Sequence, residues 1–302
     1  MVNFVLIAVC IIAGMLFKAT KSIHPDAHKG INTWILYLAL PAVSFKYLPK
    51  VQWSTEMLFP IFSTLLIAVG SGIFMKYYSK YKGYSRRSQS TLDLASGYSN
   101  TSFIGFPLIM AFYGEGLLSI AIICDQTMFL ALSTLGIISA LKGGSKSGNI
   151  SAKFILKRLF TFPPFLGCIG ALAISQLVDL TFAEPFFDKL SATVGPLALF
   201  SVGLQLKFNG WKKLMPQIST SMLYKLILAP ALVFVLALIF NIKGDVAKIS
   251  IFEAAMPTLV TSSIIAEQFR LNTKLTNLII GISIIVGFFT SAMWYTLVEI
   301  FF

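Results

Sequence analysis

The chain has 302 residues, of which 56% are hydrophobic and 12% charged, with a mean hydropathy of +0.81. Soluble domains carry about 25% charged residues, so this composition excludes an ordinary soluble enzyme and places the chain in a bilayer. The formal net charge of +12 would suit nucleic acid, but it is scattered over short loops and forms no basic domain.

Ten apolar segments follow one another, at 2–18, 30–48, 57–78, 88–113, 116–141, 154–177, 186–206, 215–240, 246–269 and 273–300. Each approaches the roughly 20 residues that a helix needs to cross hydrocarbon. Residues 2–17 lack a basic leading region and an A-x-A-like end, so they read as a first transmembrane helix and not as a cleaved signal. The loops after odd-numbered segments hold 18 of the 24 Lys and Arg, and the other loops hold five. The positive-inside rule makes the first set cytoplasmic, which leaves both termini outside. The basic clusters Lys76, Lys80, Lys82, Arg86, Arg87 and Lys142, Lys146, Lys153, Lys157, Arg158 are then orientation signals. The chain is expected to be an integral protein of the plasma membrane, with the lipid bilayer and no nucleic acid as its partner.

Segments four and nine are interrupted. The first interruption is Ser99-Asn100-Thr101-Ser102-Phe103-Ile104-Gly105-Phe106-Pro107; the second is Glu253-Ala254-Ala255-Met256-Pro257-Thr258. They hold equivalent places in two sets of five segments. Paired interruptions of this kind point to the binding site of a secondary transporter. Irregular backbone at membrane depth survives only where protein or a watery cavity satisfies it. Five crossings per half is an odd number, so the second half inserts inverted. The prolines agree: Pro41 to Pro107 spans 66 residues, and Pro196 to Pro257 spans 61. The competing view is that membrane prolines align by chance. The fold class expected is all-α, with two inverted five-helix repeats at 1–141 and 154–302, a cytoplasmic linker at 142–153, and helices 4 and 9 crossing at their breaks.

At each break proline removes an N–H and clashes with the preceding turn. Gly105 relaxes the backbone beside Pro107. Each broken helix would then offer a half-helix N-terminus with free N–H groups and partial positive charge. Two such ends would bind an anion without a buried cation. Asn100, Thr101 and Ser102, with Thr258, Thr261, Ser262 and Ser263, add neutral hydrogen-bonding groups suited to a carboxylate. Hydroxyls also glue helices together, and Ser262 and Ser263 fit either role. Glu253 lies one helical turn before Pro257, and Asp125 lies inside segment five beside Gln126. Intramembrane acids are functional candidates, often proton relays, although a capped structural acid fits equally. Asp93 reads as interfacial. Lys225 reads as snorkelling to the cytoplasmic interface if its helix starts at Ser221, and as buried if it starts near Met215.

Enzyme readings fare poorly. Both histidines, His24 and His28, sit in one loop, and no Walker-type run exists. Cys10, Cys124 and Cys168 fit neither a disulfide framework nor a zinc site. No cofactor or metal is expected.

At these residues the chain resembles the auxin efflux carrier family, which includes plant auxin exporters and microbial malate or malonate permeases. The resemblance rests on Asn100-Thr101-x-x-x-Gly105-x-Pro107-Leu108 followed by Tyr113-Gly114. It rests also on Ala254-Ala255-Met256-Pro257 with Ala266, on Leu197-Ala198-Leu199-Phe200-Ser201-Val202-Gly203-Leu204, and on Pro41-x-x-Ser44-Phe45. It implies a scaffold of helices 1, 2, 6 and 7, a homodimer, and a moving domain of helices 3–5 and 8–10 that carries the crossover. It implies Asn100 as the leading carboxylate ligand, Gly105, Pro107 and Pro257 as the crossover, Ser44 facing the site from the scaffold, and Gln126 lining it from helix five. Plant auxin exporters carry an acid and a lysine in their third helix; here residues 58–75 hold no charge. Glu253 and Asp125 are the available replacements for proton or ion coupling. The reading is a transporter of small organic anions such as malate, with H⁺ or Na⁺ as a coupling partner. Its rivals are a sodium-coupled symporter of the bile-acid type, with Na⁺ on Glu253 and nearby carbonyls, and a membrane receptor that binds without moving its ligand.

Overall fold

The computed structural model describes residues 2–51, 54–144, 152–206 and 210–302. The described residues are helical apart from turns and one isolated bridge, and no strand forms among them. Among the described residues, four helices are long and apolar enough to span a bilayer: Thr55–Tyr81, Glu115–Gly143, Lys212–Ile239 and Thr273–Phe301. They coincide with segments three, five, eight and ten. Asn3–Ala19, Thr101–Phe112 and Pro163–Ile174 are shorter apolar helices. Most of the 142–153 linker, including Lys146, lies outside the described residues.

Two compact units divide the chain. The first comprises Met1–Ser54, Ser102–Gln126 and Leu156–Leu206. Within it, helix Val2–Ala19 packs along Val194–Gln205. Small residues set that approach: a methyl group at Gly14 would stand 2.3 Å from the Phe200 carbonyl oxygen, and one at Gly203 2.3 Å from that of Ile11. Without a hydrophobic drive between helices in lipid, such close backbone packing is what holds them together. Pro41 seats against Gly167 in the same way, where a methyl group would come within 2.6 Å. Segment six is not continuous. Helix Ala152–Phe160 ends at Thr161, and Pro163–Ile174 starts afresh with prolines at its first two positions, where no intrahelical N–H is needed. Segment seven likewise divides into Glu184–Ser191 and Val194–Gln205. At one end of the unit Lys46 bridges Glu115 at 3.0 Å and Asp188 at 3.1 Å, and Lys50 pairs with Glu184.

The second unit comprises Thr55–Thr101, Thr127–Ile155 and Lys207–Phe302. Its core gathers Leu94 and Tyr98 from segment four, Met128, Leu132 and Ile137 from segment five, and Ile265 and Phe269 from segment nine. Helix Gly244–Ala254 packs on Leu58–Tyr81, Ala229–Ile239 and Thr273–Phe301. Exposed apolar side chains such as Phe62, Ile73, Val235, Ile239 and Phe289 cover the outside of these helices. An apolar exterior of that extent fits a lipid environment and not water.

Candidate functional site

Segment four starts as helix Arg86–Ser96, with the Ser85 hydroxyl accepting from Ser88 N–H at the N-cap. It stops at Gly97, and residues 97–100 are not helical. Gly97 is close-packed, since a methyl group there would lie 3.0 Å from the Ser71 side chain. The helix resumes as a wide turn at Thr101–Gly105 and continues as Phe106–Phe112. Gly105 and Pro107 therefore lie inside the resumed helix and not in the extended stretch. Pro107 is tolerated there because it occupies the first turn and the preceding wide turn has loosened the hydrogen-bond ladder.

Segment nine runs as Gly244–Ala254 and resumes at Thr261–Gln268. Residues 255–260 are irregular and contain Pro257, whose ring packs closely on Gly287: a methyl group there would lie 3.2 Å away.

The two irregular stretches pair with each other. Ser99 and Thr258 form an antiparallel bridge. Asn100 N–H donates to the Pro257 carbonyl at 2.8 Å, and Leu259 N–H donates to that of Tyr98 at 2.9 Å. This pattern leaves Ser99 and Thr258 opposite one another as the close, non-hydrogen-bonded pair of the ladder. Thr258 is tied down further. Its Oγ1 donates to the Ala95 carbonyl at 2.7 Å, and its N–H donates to Ser283 Oγ at 3.2 Å. Ser96 and Ser221 hydroxyls share a 2.6 Å hydrogen bond nearby in sequence. Backbone groups released by two interrupted helices are thus satisfied by each other and by neighbouring hydroxyls, as membrane depth demands.

Lys225 is the residue that the sequence left open between two placements, and the helix start at Met215 selects the buried one. Helix Met215–Met222 begins ten residues earlier, about 15 Å along the axis, which places Lys225 well inside the span. It is 0% exposed. Its Nζ donates to Ser99 Oγ at 2.5 Å and to the Ala254 carbonyl at 2.8 Å. The Ala254 carbonyl belongs to the last turn of its helix, where carbonyls lack intrahelical partners and the dipole is negative. Lys225 rides on a wide turn, Leu223–Leu228, that also frees the Leu226 carbonyl to accept from Trp294 Nε1 at 2.9 Å. Glu253 is buried beside Ala254 and acts electrostatically on the ammonium. The signal available in the sequence was Pro216, which marks the first turn of a helix and fixes its start upstream of Ser221.

Other expectations are altered too. Asp93, near the start of segment four, is buried among protein groups; its Oδ1 accepts from Ser71 Oγ at 2.8 Å. The N–H groups of Ser262 and Ser263 are not free for an anion. They donate to the Leu259 and Val260 carbonyls at 3.1 and 3.0 Å, because the chain re-enters the helix through a tight turn. Ser262 Oγ is buried with no hydrogen-bond partner among the described residues.

The second unit holds Asn100, Thr101, Glu253, Pro257, Thr258 and Thr261 of the expected site residues. All are buried except Thr261, which is half-buried. The first unit holds Ser44, Ser102, Gly105, Pro107, Asp125 and Gln126. Ser44 is buried with its hydroxyl turned to the Leu40 carbonyl at 3.4 Å, and Gln126 Nε2 donates to Asp125 Oδ2 at 3.2 Å. An open cavity of about 790 Å³ is lined by Trp211, Lys212, Lys213, Asn272 and Lys274, away from the breaks in sequence.

An apolar, all-helical chain with polar groups buried at two paired helix interruptions defines an integral membrane protein of transporter type. The chain matches the family described as membrane transport protein over residues 1–295, and it belongs to that family, the auxin efflux carriers. An uncharacterized transporter of Methanocaldococcus jannaschii is 25% identical and aligned over 96% of both chains. A provisionally named malonate transporter of Rhizobium meliloti is 24% identical over 82% of this chain and 79% of its own. Auxin efflux carrier component 5 of Arabidopsis thaliana is 23% identical over 82% of this chain and 81% of its own.

Proposed function

We propose that the protein is a secondary transporter of small organic anions, mono- or dicarboxylates such as malate or malonate, which bind at the paired interruptions of segments four and nine. The observation that carries this reading is the pairing itself: Asn100 N–H on Pro257 O, with Ser99 facing Thr258, in a fully buried and polar setting. Interrupted segments in matching positions of two halves are where transporters bind substrate. Asn100 and Thr101 supply neutral donors, with Thr258 and Thr261 in the same unit; Ser102, Gln126 and Ser44 are further candidates from the sequence pattern. The kinship with a malonate transporter favours a dicarboxylate over auxin, as does the uncharged stretch 58–75.

In this reading the chain forms ten spans in two inverted repeats, with segments four and nine crossing and both termini outside the plasma membrane. The cycle is elevator-like alternating access, with segments three to five and eight to ten carrying the site and segments one, two, six and seven forming the scaffold of a homodimer. The membrane potential then sets direction. Expelling one negative charge through 100 mV releases about 2.3 kcal/mol, so an uncoupled carrier exports anions and import requires a coupled ion. Uptake of labelled malonate and malate into proteoliposomes tests the reading. Saturable uptake that the other acid competes for is expected. Binding without flux would make the protein a receptor and overturn it.

A further inference from the structure

The oxygen atoms around Lys225 are of the kind that hold an alkali cation at a broken helix. One is a hydroxyl from the first interruption, Ser99 Oγ; one is a helix-terminal carbonyl from the second, Ala254 O. Unwound carbonyls and half-helix C-terminal ends are what coordinate Na⁺ in transporters with discontinuous helices. A carboxylate, Glu253, stands beside them in the sequence and in electrostatic reach. Here a side-chain ammonium bonds both of these oxygens. An ammonium presents three donors and no acceptor, so it satisfies oxygen ligands as a monovalent cation does. Unlike an ion, it is covalently held and does not leave with the substrate.

The geometry points to Lys225 as a resident counter-cation that fills the position a coupling Na⁺ would otherwise occupy, so that the carrier runs without Na⁺ and a cation site opens when the ammonium is removed. Three observations carry this. The lysine is wholly buried within the protein. It joins the two interruptions directly, one hydrogen bond to each. Lys225 sits on the wide turn Leu223–Leu228, whose backbone is anchored next to it by the Tyr224 hydroxyl donating to the Ile67 carbonyl at 2.8 Å. A mobile cation would have to displace an ammonium tethered in its own ligand set, which makes Na⁺ coupling and this lysine mutually exclusive.

The inference rests on the transporter reading for its consequence, but its test does not need a substrate. Wild type and Lys225→Met are purified in detergent, and thermal unfolding and ²²Na⁺ binding are measured in NaCl and in choline chloride. Wild type should unfold at the same temperature in both salts and bind no ²²Na⁺. Lys225→Met should be stabilised by several degrees in Na⁺ and should bind about one ²²Na⁺ per chain. In proteoliposomes, wild-type malonate uptake should be equal in Na⁺ and choline within twofold. Lys225→Met uptake should fall at least tenfold in choline and recover severalfold in Na⁺. Lys225→Gln, which keeps a polar donor, replaces Lys225→Met if that variant does not fold. Stabilisation or ²²Na⁺ binding by wild type overturns the inference whatever the variants do, as does identical behaviour of a folded variant in the two salts. The Na⁺ pattern without any malonate flux would overturn the transport reading and leave the resident cation standing.

Discussion

Thr258→Val removes one atom that holds the break together while keeping the shape of the side chain. Thr258 is fully buried, and its hydroxyl donates to the Ala95 carbonyl at 2.7 Å. That carbonyl lies in the last turn of helix Arg86–Ser96 and has no helical N–H four residues on to take the place of the hydroxyl, because the chain is already irregular at Ser99. Leaving a buried acceptor without its partner costs about 1–3 kcal/mol. At about 2–4 °C per kcal/mol, the Tm should drop by roughly 2–12 °C. Thermal unfolding of the purified protein in detergent measures this. Thr258→Ser keeps the donor and loses only a methyl group, about 1 kcal/mol of packing. The serine variant should therefore retain transport and most of its stability, and the valine variant should lose more of both. If valine is tolerated as well as serine, the hydroxyl does not hold the two interruptions together and the reasoning fails.

Asn100→Ala should weaken malonate binding by about 1–3 kcal/mol, the loss of a buried partner, and titration calorimetry on purified protein would read an unchanged affinity as removing Asn100 from the site. Gly203→Ala places a methyl group 2.3 Å from the Ile11 carbonyl oxygen; overpacking of this kind should cost about 1–3 kcal/mol in thermal unfolding, and an unshifted Tm would mean the two helices part freely. Single cysteines introduced into a cysteine-free background should react from the cytoplasm at residue 146 and from outside at residue 115, with the opposite accessibility reversing the topology.

Much of this was legible in the sequence because proline and composition act locally. Helical structure throughout follows from long uncharged runs, and the interruption at Pro257 follows from its missing N–H. Pro107 gave the same signal with a different result, since a wide turn at Thr101–Gly105 absorbs it and the irregular stretch moves upstream to Gly97. The partners of the break were not legible. Ser99 meeting Thr258, and Lys225 meeting Ser99, join residues more than 120 positions apart, which no local pattern encodes. Lys225 illustrates the point most sharply. A few residues' difference in where its helix begins decides between an ammonium in the headgroups and one sealed at the breaks. At the half-helix of segment nine the expectation of free N–H groups failed for a similar reason: how the chain re-enters the helix at Thr261 decides whether the N–H groups of Ser262 and Ser263 face a ligand or their own backbone.

Charge movement in proteoliposomes on adding malonate or malate, with and without pH and sodium gradients, tests the central claim most directly. The account predicts a saturable current that needs no sodium and that Asn100→Ala shifts to higher substrate concentration. Substrate binding with neither current nor tracer flux under any gradient would contradict it.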